Sequence, residues 1–125
     1  VLQPCDGLAR AIEHRTTDPA ARLEVQALCA RYTQAMGRFG TGAGEIDTLV
    51  LGCTHYVFAR EQLAEQLGPG VALVDTGEPV ARQTRRLLAE VNLLTHQADP
   101  VLPAVEWLGT GSLTQLTAAA SRWRI

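Results

Sequence analysis

The sequence contains no lysine, so arginine supplies all 11 of its basic residues. These arginines are scattered among 13 acidic residues, and the formal net charge of the 125-residue chain is −2. Nucleic-acid-binding domains concentrate their basic residues in a stripe or patch. The absence of such a patch argues against a nucleic-acid partner.

Long apolar runs are also absent. No apolar stretch approaches the roughly 20 residues that a membrane-spanning helix requires, so we expect no membrane segment. Val1 is not followed by the basic and then apolar segments of a secretory signal, so we expect no signal peptide in this sequence. The length is sufficient for one small domain with a hydrophobic core.

Cysteine is scarce and widely spaced. The chain has three cysteines, Cys5, Cys29 and Cys53, and no C-x-x-C pair. An odd number at such spacings is not typical of a secreted disulfide framework. We therefore predict a reducing, cytoplasmic environment, in which cysteines either pack or do chemistry. Cys5 and Cys29 are interpreted as packing residues.

What the sequence does contain is an alternation of helices and short apolar strands. Capping residues and apolar spacing predict helices over 6–14, 19–36, 56–67, 79–93 and 112–123. Apolar runs predict strands over 46–51, 71–74 and 105–108. The order favours an α/β fold, with a parallel β-sheet flanked by helices.

Finer expectations follow from the same patterns. The first strand is apolar on both faces after Thr48, which predicts a sheet covered on both sides. The expected helix caps are Asp6, Thr76 or Glu78, and Ser112. The second helix is expected to bury the side that carries Leu23, Ala27, Ala30 and Ala35.

The residues with useful chemistry, Gly52-Cys53-Thr54-His55, follow the first predicted strand. Ligands of open α/β sheets bind at the carboxyl ends of strands. A thiol acts as a base or nucleophile only as a thiolate, which a helix start and a nearby imidazole both favour. Gly52 allows a sharp turn, and Thr54 offers a hydroxyl and an N–H group to a carboxylate.

Spacing alone leaves other interpretations of this segment open. Cys53 is equally well explained as a small buried residue, with His55 as a helix cap. A metal site is less favoured, because C-x-H supplies at most two ligands and no other Cys/His pair is near in sequence.

Four segments together resemble the glutamate racemases of the aspartate/glutamate racemase superfamily. The matching segments are LVLGCTHY at 49–56, Pro4-Cys5 with Ile12-Glu13, VALVDTGEPVARQTRRLL at 71–88, and LGTGS at 108–112. The sequence departs from the family pattern at Val57, where proline is usual, and in a longer interval between Glu13 and Cys53. The family's early motifs are absent.

The resemblance implies one half of the two-domain racemase fold, the C-terminal portion of a protein about twice this length. Residues 1–77 would form the second α/β domain. Residues 78–125 would return to a first domain supplied by an N-terminal half. A homodimer is also possible, since racemases of this kind are often dimers.

The resemblance also implies an activity, the cofactor-independent interconversion of L- and D-glutamate by two cysteine bases, without pyridoxal phosphate or metal. This activity supplies D-glutamate for peptidoglycan synthesis. Cys53 would be the base on the L-face, and His55 would tune it and relay its proton. Thr54 would bind a substrate carboxylate, and Glu13 would assist. With one of two bases, the isolated chain is expected to be inactive.

Two alternatives stay open at this point. A relative that acts on aspartate, a hydantoin or maleate would share these motifs. A non-catalytic domain for dimerisation or partner binding would keep an inert Cys-His pair. The reactivity of Cys53 separates this second alternative from the enzymes.

Overall fold

The computed structural model of the chain describes residues 1–14, 19–95 and 106–123. Two compact units are present, Val1–Leu93 and Leu94–Ile125. Among the described residues, no helix combines the length and the apolar character that crossing a membrane requires.

The described part of the first unit contains four helices and two strands. They are α1 (Leu8–His14), α2 (Pro19–Met36), β1 (Thr48–Val50), α3 (Arg60–Leu67), β2 (Ala72–Val74) and α4 (Gly77–Glu90), with a 3-10 turn at Tyr56–Ala59 between β1 and α3. The described part of the second unit contains one helix, α5 (Leu113–Trp123). These bounds agree closely with the predicted helices.

The strands β1 and β2 pair in parallel, with Leu49 opposite Leu73 and Val50 opposite Val74. The pairing confirms the predicted α/β class. The third predicted strand, 105–108, is not confirmed: residue 105 lies outside the described residues, and residues 106–108 have no regular structure. A strand needs a paired neighbour, and the described sheet consists only of β1 and β2.

The core of the first unit is built from α1, α2, β1 and α3. Its largest fully buried side chains are Ile12, Val25 and Cys29. The predicted buried side of α2 was wrong, because Leu23 is 62% exposed and the helix instead buries Val25, Cys29 and Thr33. These three are spaced four residues apart and so share one face. Thr33 is tolerated there because its hydroxyl donates to the carbonyl of Cys29 at 2.9 Å.

The sheet is covered on one face only. Leu49 is buried, whereas Val50 is 64% exposed and Val74 is 45% exposed. The prediction of a sheet covered on both sides was therefore wrong for this chain. Successive strand residues point to opposite faces, and α4, which follows β2, buries none of its residues.

Helix starts were predicted with mixed success. As predicted, Ser112 caps α5, because its hydroxyl accepts the N–H of Gln115 at 3.3 Å. At the start of α4, neither predicted side chain acts as the cap. The N-cap residue Thr76 makes no side-chain bond, and the N–H of Gly77 donates to Asp75 Oδ1 at 3.1 Å.

The start of α1 lies two residues beyond the predicted one. Gly7 has a φ of +81°, a left-handed conformation that glycine adopts without strain and that interrupts the helix. The N–H of Leu8 donates to the carbonyl of Cys5 at 3.2 Å and closes the turn. The helix therefore begins at Leu8 rather than at Asp6.

Candidate active site

Cys53 lies at the carboxyl end of β1, where the sequence predicts it. The N–H of Leu51 still donates to the carbonyl of Val74 at 2.8 Å, which extends the sheet by one bond. The next residue, Gly52, is exposed to solvent. The chain then turns, and the carbonyl of Cys53 accepts the N–H of Tyr56 at 3.1 Å. This turn leaves the Cys53 side chain half-buried at the end of the sheet.

The helix that follows is not positioned to act strongly on Cys53. The predicted helix from Tyr56 begins as a 3-10 turn, and α3 itself begins only at Arg60. The influence of a helix dipole falls off within its first turn. His55 is the N-cap residue of the 3-10 turn, yet its side chain makes no capping bond. The interpretation of His55 as a helix cap is therefore wrong, and its ring is used elsewhere.

The imidazole of His55 lies between a thiol and a carboxylate. Its Nδ1 is 3.8 Å from the Sγ of Cys53, and its Nε2 is 2.7 Å from the Oε1 of Glu13. The hydroxyl of Thr54 is 3.5 Å from the same Nδ1. All four predicted site residues are thus brought together, and Glu13 comes from a helix 42 positions away in sequence.

The hydrogen bonds assign the proton on the ring. An ionised carboxylate only accepts hydrogen bonds, so Nε2 of His55 carries the hydrogen that faces Glu13. In the neutral ring, Nδ1 then has a lone pair that can accept the proton of the Cys53 thiol. A carboxylate at the distance of Glu13 can stabilise a protonated imidazole ring. The same logic governs other arrangements of nucleophile, histidine and carboxylate.

Glu13 reaches this position because α1 is held by its buried face. Leu8, Ala11 and Ile12 enter the core, and Glu13 follows Ile12 at the exposed edge of the helix. The side chains of His55 and Glu13 are 36% and 58% exposed. Solvent weakens an exposed contact of this kind, so its main effect is to orient the ring rather than to stabilise the fold.

A cavity of about 480 Å³ borders Cys53, and Cys5, Cys29 and Tyr56 also line it. Burial raises the pKa of the Cys29 thiol to about 11. Burial is also the largest of the effects that act on Cys5, and the pKa of that thiol is raised as well. Both therefore hold their protons at neutral pH, which agrees with their interpretation as packing residues.

Two other sequence features take no part in this site. Within residues 1–14, 19–95 and 106–123, no group of three or more His, Cys, Asp or Glu side chains could hold a metal ion. A glycine-rich loop at residues 40–44 precedes β1, and Glu45 holds it in place by accepting the N–H of Gly42 at 2.8 Å and pairing with Arg38 at 2.7 Å.

Sequence reasoning missed one residue that supports the site. The guanidinium of Arg60 donates to the carbonyl of Leu73 at 3.0 Å and to Asp75 Oδ2 at 2.9 Å. It thereby joins the start of α3 to the end of β2. In the sequence Arg60 is one arginine among 11, and nothing in its neighbours signals a partner 15 positions away.

No protein-family model matches the chain, whereas several curated proteins do. A glutamate racemase from Herpetosiphon aurantiacus is 43% identical over 111 residues, which cover 89% of this chain and 40% of that protein. One from Pseudomonas putida is 39% identical over 131 residues, covering 93% of this chain and 46% of that protein. One from Pseudomonas entomophila is 46% identical over 95 residues, covering 75% and 32%.

The fold agrees with a solved structure. A crystal structure of a glutamate racemase isoform from Bacillus anthracis matches 98% of this chain and 42% of its own, with a TM-score of 0.78 and 24% sequence identity. At that identity the likeness shows the fold alone. The chain spans less than half the length of the curated relatives that it matches. The sequence identities show that the chain belongs to the glutamate racemase family, of whose members it spans only part of the length, and its fold agrees with this assignment.

Proposed function

We propose that the complete protein that contains this chain interconverts L- and D-glutamate by a two-base mechanism, and that Cys53 is one of the two bases. The observation that carries the proposal is the array of Cys53, His55 and Glu13 at the carboxyl end of β1, in a chain related to glutamate racemases. Glutamate is the proposed substrate because those relatives carry its name. The proposed role is to supply D-glutamate for peptidoglycan synthesis in the cytoplasm.

The proposed chemistry follows from the need to invert a carbon centre. A single base tends to return the proton to the face from which it came, so two bases on opposite faces are required. The Cys53 thiolate removes the α-proton of L-glutamate and becomes a thiol. The electron pair left on the α-carbon delocalises into the substrate carboxylate, and an acid on the opposite face delivers its proton to the carbon.

The other residues prepare Cys53 for this step. His55 takes the thiol proton at Nδ1 and returns it when the reaction runs from D- to L-glutamate. Glu13 keeps the ring in the tautomer that this exchange needs. Thr54, exposed beside the thiol, offers its hydroxyl and N–H to the substrate carboxylate, where negative charge develops.

The second base is proposed to come from an N-terminal half that precedes this chain in the complete protein. Among the described residues the other thiols are Cys5 and Cys29, and burial raises the pKa of each. Neither is suited to alternate between thiol and thiolate. In this proposal residues 1–77 form the second domain, and residues 78–125 return to the first.

The test is α-proton exchange in D2O, followed by NMR with the full-length protein. We expect loss of the α-proton signal from L- and D-glutamate alike, without added cofactor. Cys53→Ala should lower the rate by at least about 10³-fold. Cys5→Ala, a thiol change at the same cavity, is the matched control and should retain the exchange.

Two outcomes would redirect the proposal. Exchange of aspartate but not of glutamate would mean a relative with another substrate. Exchange of neither would reject racemisation and favour a non-catalytic domain, in which the Cys-His pair is inert.

A further inference from the structure

The segment that carries the proposed active site, residues 51–60, is hydrogen-bonded at both of its ends to residues 73–75 at the end of β2. At its start, the N–H of Leu51 donates to the carbonyl of Val74 at 2.8 Å. At its end, Arg60 donates to the carbonyl of Leu73 at 3.0 Å and to Asp75 at 2.9 Å. Residues 52–59, which include Cys53 and His55, therefore form a loop closed on the end of β2.

The backbone between these two anchors transmits their position to the site. The carbonyl of Cys53 accepts the N–H of Tyr56 at 3.1 Å, and the carbonyl of His55 accepts the N–H of Phe58 at 3.1 Å. The N–H of Arg60 then donates to the carbonyl of Val57. These three bonds join residues 53 to 56, 55 to 58 and 57 to 60, so each overlaps the next along the chain. We therefore expect a shift of Arg60 to shift Cys53 and His55 as well.

The Arg60–Asp75 pair joins two elements, α3 and the end of β2, unlike the arginine–carboxylate pairs within α4. Asp75 is 21% exposed, and its second oxygen accepts the N–H of Gly77 at 3.1 Å, so its orientation is fixed. By comparison, Arg82 and Glu78 pair at 3.0 Å within α4, with side chains 71% and 84% exposed. That pair joins no two elements and is a natural control.

We propose that Arg60 is a positioning residue, which closes the 52–59 loop on β2 and thereby holds the Cys53 thiol and the His55 ring in line with Glu13. The inference rests on the proposed function in that the aligned groups are those of the racemase site. Arg60 itself contacts no reacting group. Its contribution is the fixed geometry that proton transfer at a carbon centre requires.

The test compares variants of the full-length protein. Arg60→Gln removes the charge and one of the two contacts, and we expect kcat to fall about 10- to 100-fold with KM changed less than about threefold, because misplaced groups slow proton transfer. Arg60→Lys keeps one charged donor and should recover part of kcat. Asp75→Asn should lower kcat too, and the double variant should be no worse than Arg60→Gln alone.

The controls are Arg82→Gln and Glu78→Gln, which should leave kcat and KM unchanged. A second readout does not depend on activity: the ¹⁵N and ¹H signals of the His55 ring should shift in Arg60→Gln and not in Arg82→Gln. If the wild-type protein exchanges no α-proton, the proposed function fails while the ring signals still test the loop closure.

Three results would overturn the inference. The first is an unchanged kcat in Arg60→Gln. The second is additive losses in the Arg60 and Asp75 variants. The third is an unshifted His55 ring in Arg60→Gln. A fall in thermal stability alone, with kcat and ring signals unchanged, would assign Arg60 to the fold and not to the site.

Discussion

Glu13 provides the sharpest test of the proposed proton relay, because its carboxylate lies within hydrogen-bonding distance of the His55 ring. Its Oε1 is 2.7 Å from Nε2 of the ring, whereas the thiol of Cys53 lies beyond the other ring nitrogen. Glu13→Gln keeps the size of the side chain and one acceptor oxygen but removes the charge. Glu13→Ala removes the acceptor as well.

The contacts set the size of the expected effects. A hydrogen bond to a charged group is worth about 1.5–3 kcal/mol, and a neutral one about 0.5–1.5 kcal/mol. Losing the charge alone therefore costs about 1 kcal/mol, or about fivefold in rate. The exposure of both side chains, 36% for His55 and 58% for Glu13, brings the effect toward the lower end. Glu13→Ala should slow the reaction about 10- to 100-fold.

The assay is the initial rate of α-proton exchange at saturating glutamate, measured on the full-length protein together with its thermal unfolding. The unfolding free energy should change by less than about 1 kcal/mol, since a contact between two exposed side chains contributes little to stability. Glu61→Gln, which neutralises an exposed carboxylate on α3, is the matched charge control. A Glu13→Ala variant with the wild-type rate would refute the relay through His55.

Three further predictions concern the chain and its core. The isolated 125-residue chain should form no D-glutamate from L-glutamate in a chiral assay, and any such product would contradict the need for a second base outside it. In urea unfolding of the full-length protein, Ile12→Ala should lower the free energy of unfolding by about 2–5 kcal/mol, and Leu23→Ala should lower it by less than about 0.5 kcal/mol. Equal decreases in the two variants would contradict the observed core. Cys29, whose pKa burial raises to about 11, should be the last thiol alkylated by iodoacetamide at pH 8 as followed by mass spectrometry. Early labelling of Cys29 would show that it is not buried.

The local parts of the fold and the site were predictable from the sequence. The spacing of Cys53 and His55 places both in one turn after an apolar strand, and no distant contact is needed to bring them together. The capping of α5 by Ser112 is equally local. The parallel pairing of β1 and β2 followed from the helix between them, since such a crossover leaves parallel strands side by side.

The parts that were not predictable depend on the tertiary structure. The alanines of α2 fit more than one helix face, and packing selected the face with Val25, Cys29 and Thr33. The pairing of Arg60 with Asp75 depends on how α3 returns to β2. The position of Glu13 was expected from the resemblance to racemases alone, because a separation of 42 residues has no local signal.

Two independent physical requirements indicate the same need for a second body of protein in the proposed enzyme. The first is chemical: a thiol that removes a proton from one face of a carbon needs an acid facing it across the substrate. The second is hydrophobic: Val50 and Val74 are paired on the open face of the sheet and are 64% and 45% exposed. Apolar side chains grouped on a surface typically mark an interface. Neither requirement depends on the other, since the exposed valines take no part in proton transfer. The proposed N-terminal half would meet both, by covering the apolar surface and by facing Cys53 with the second base.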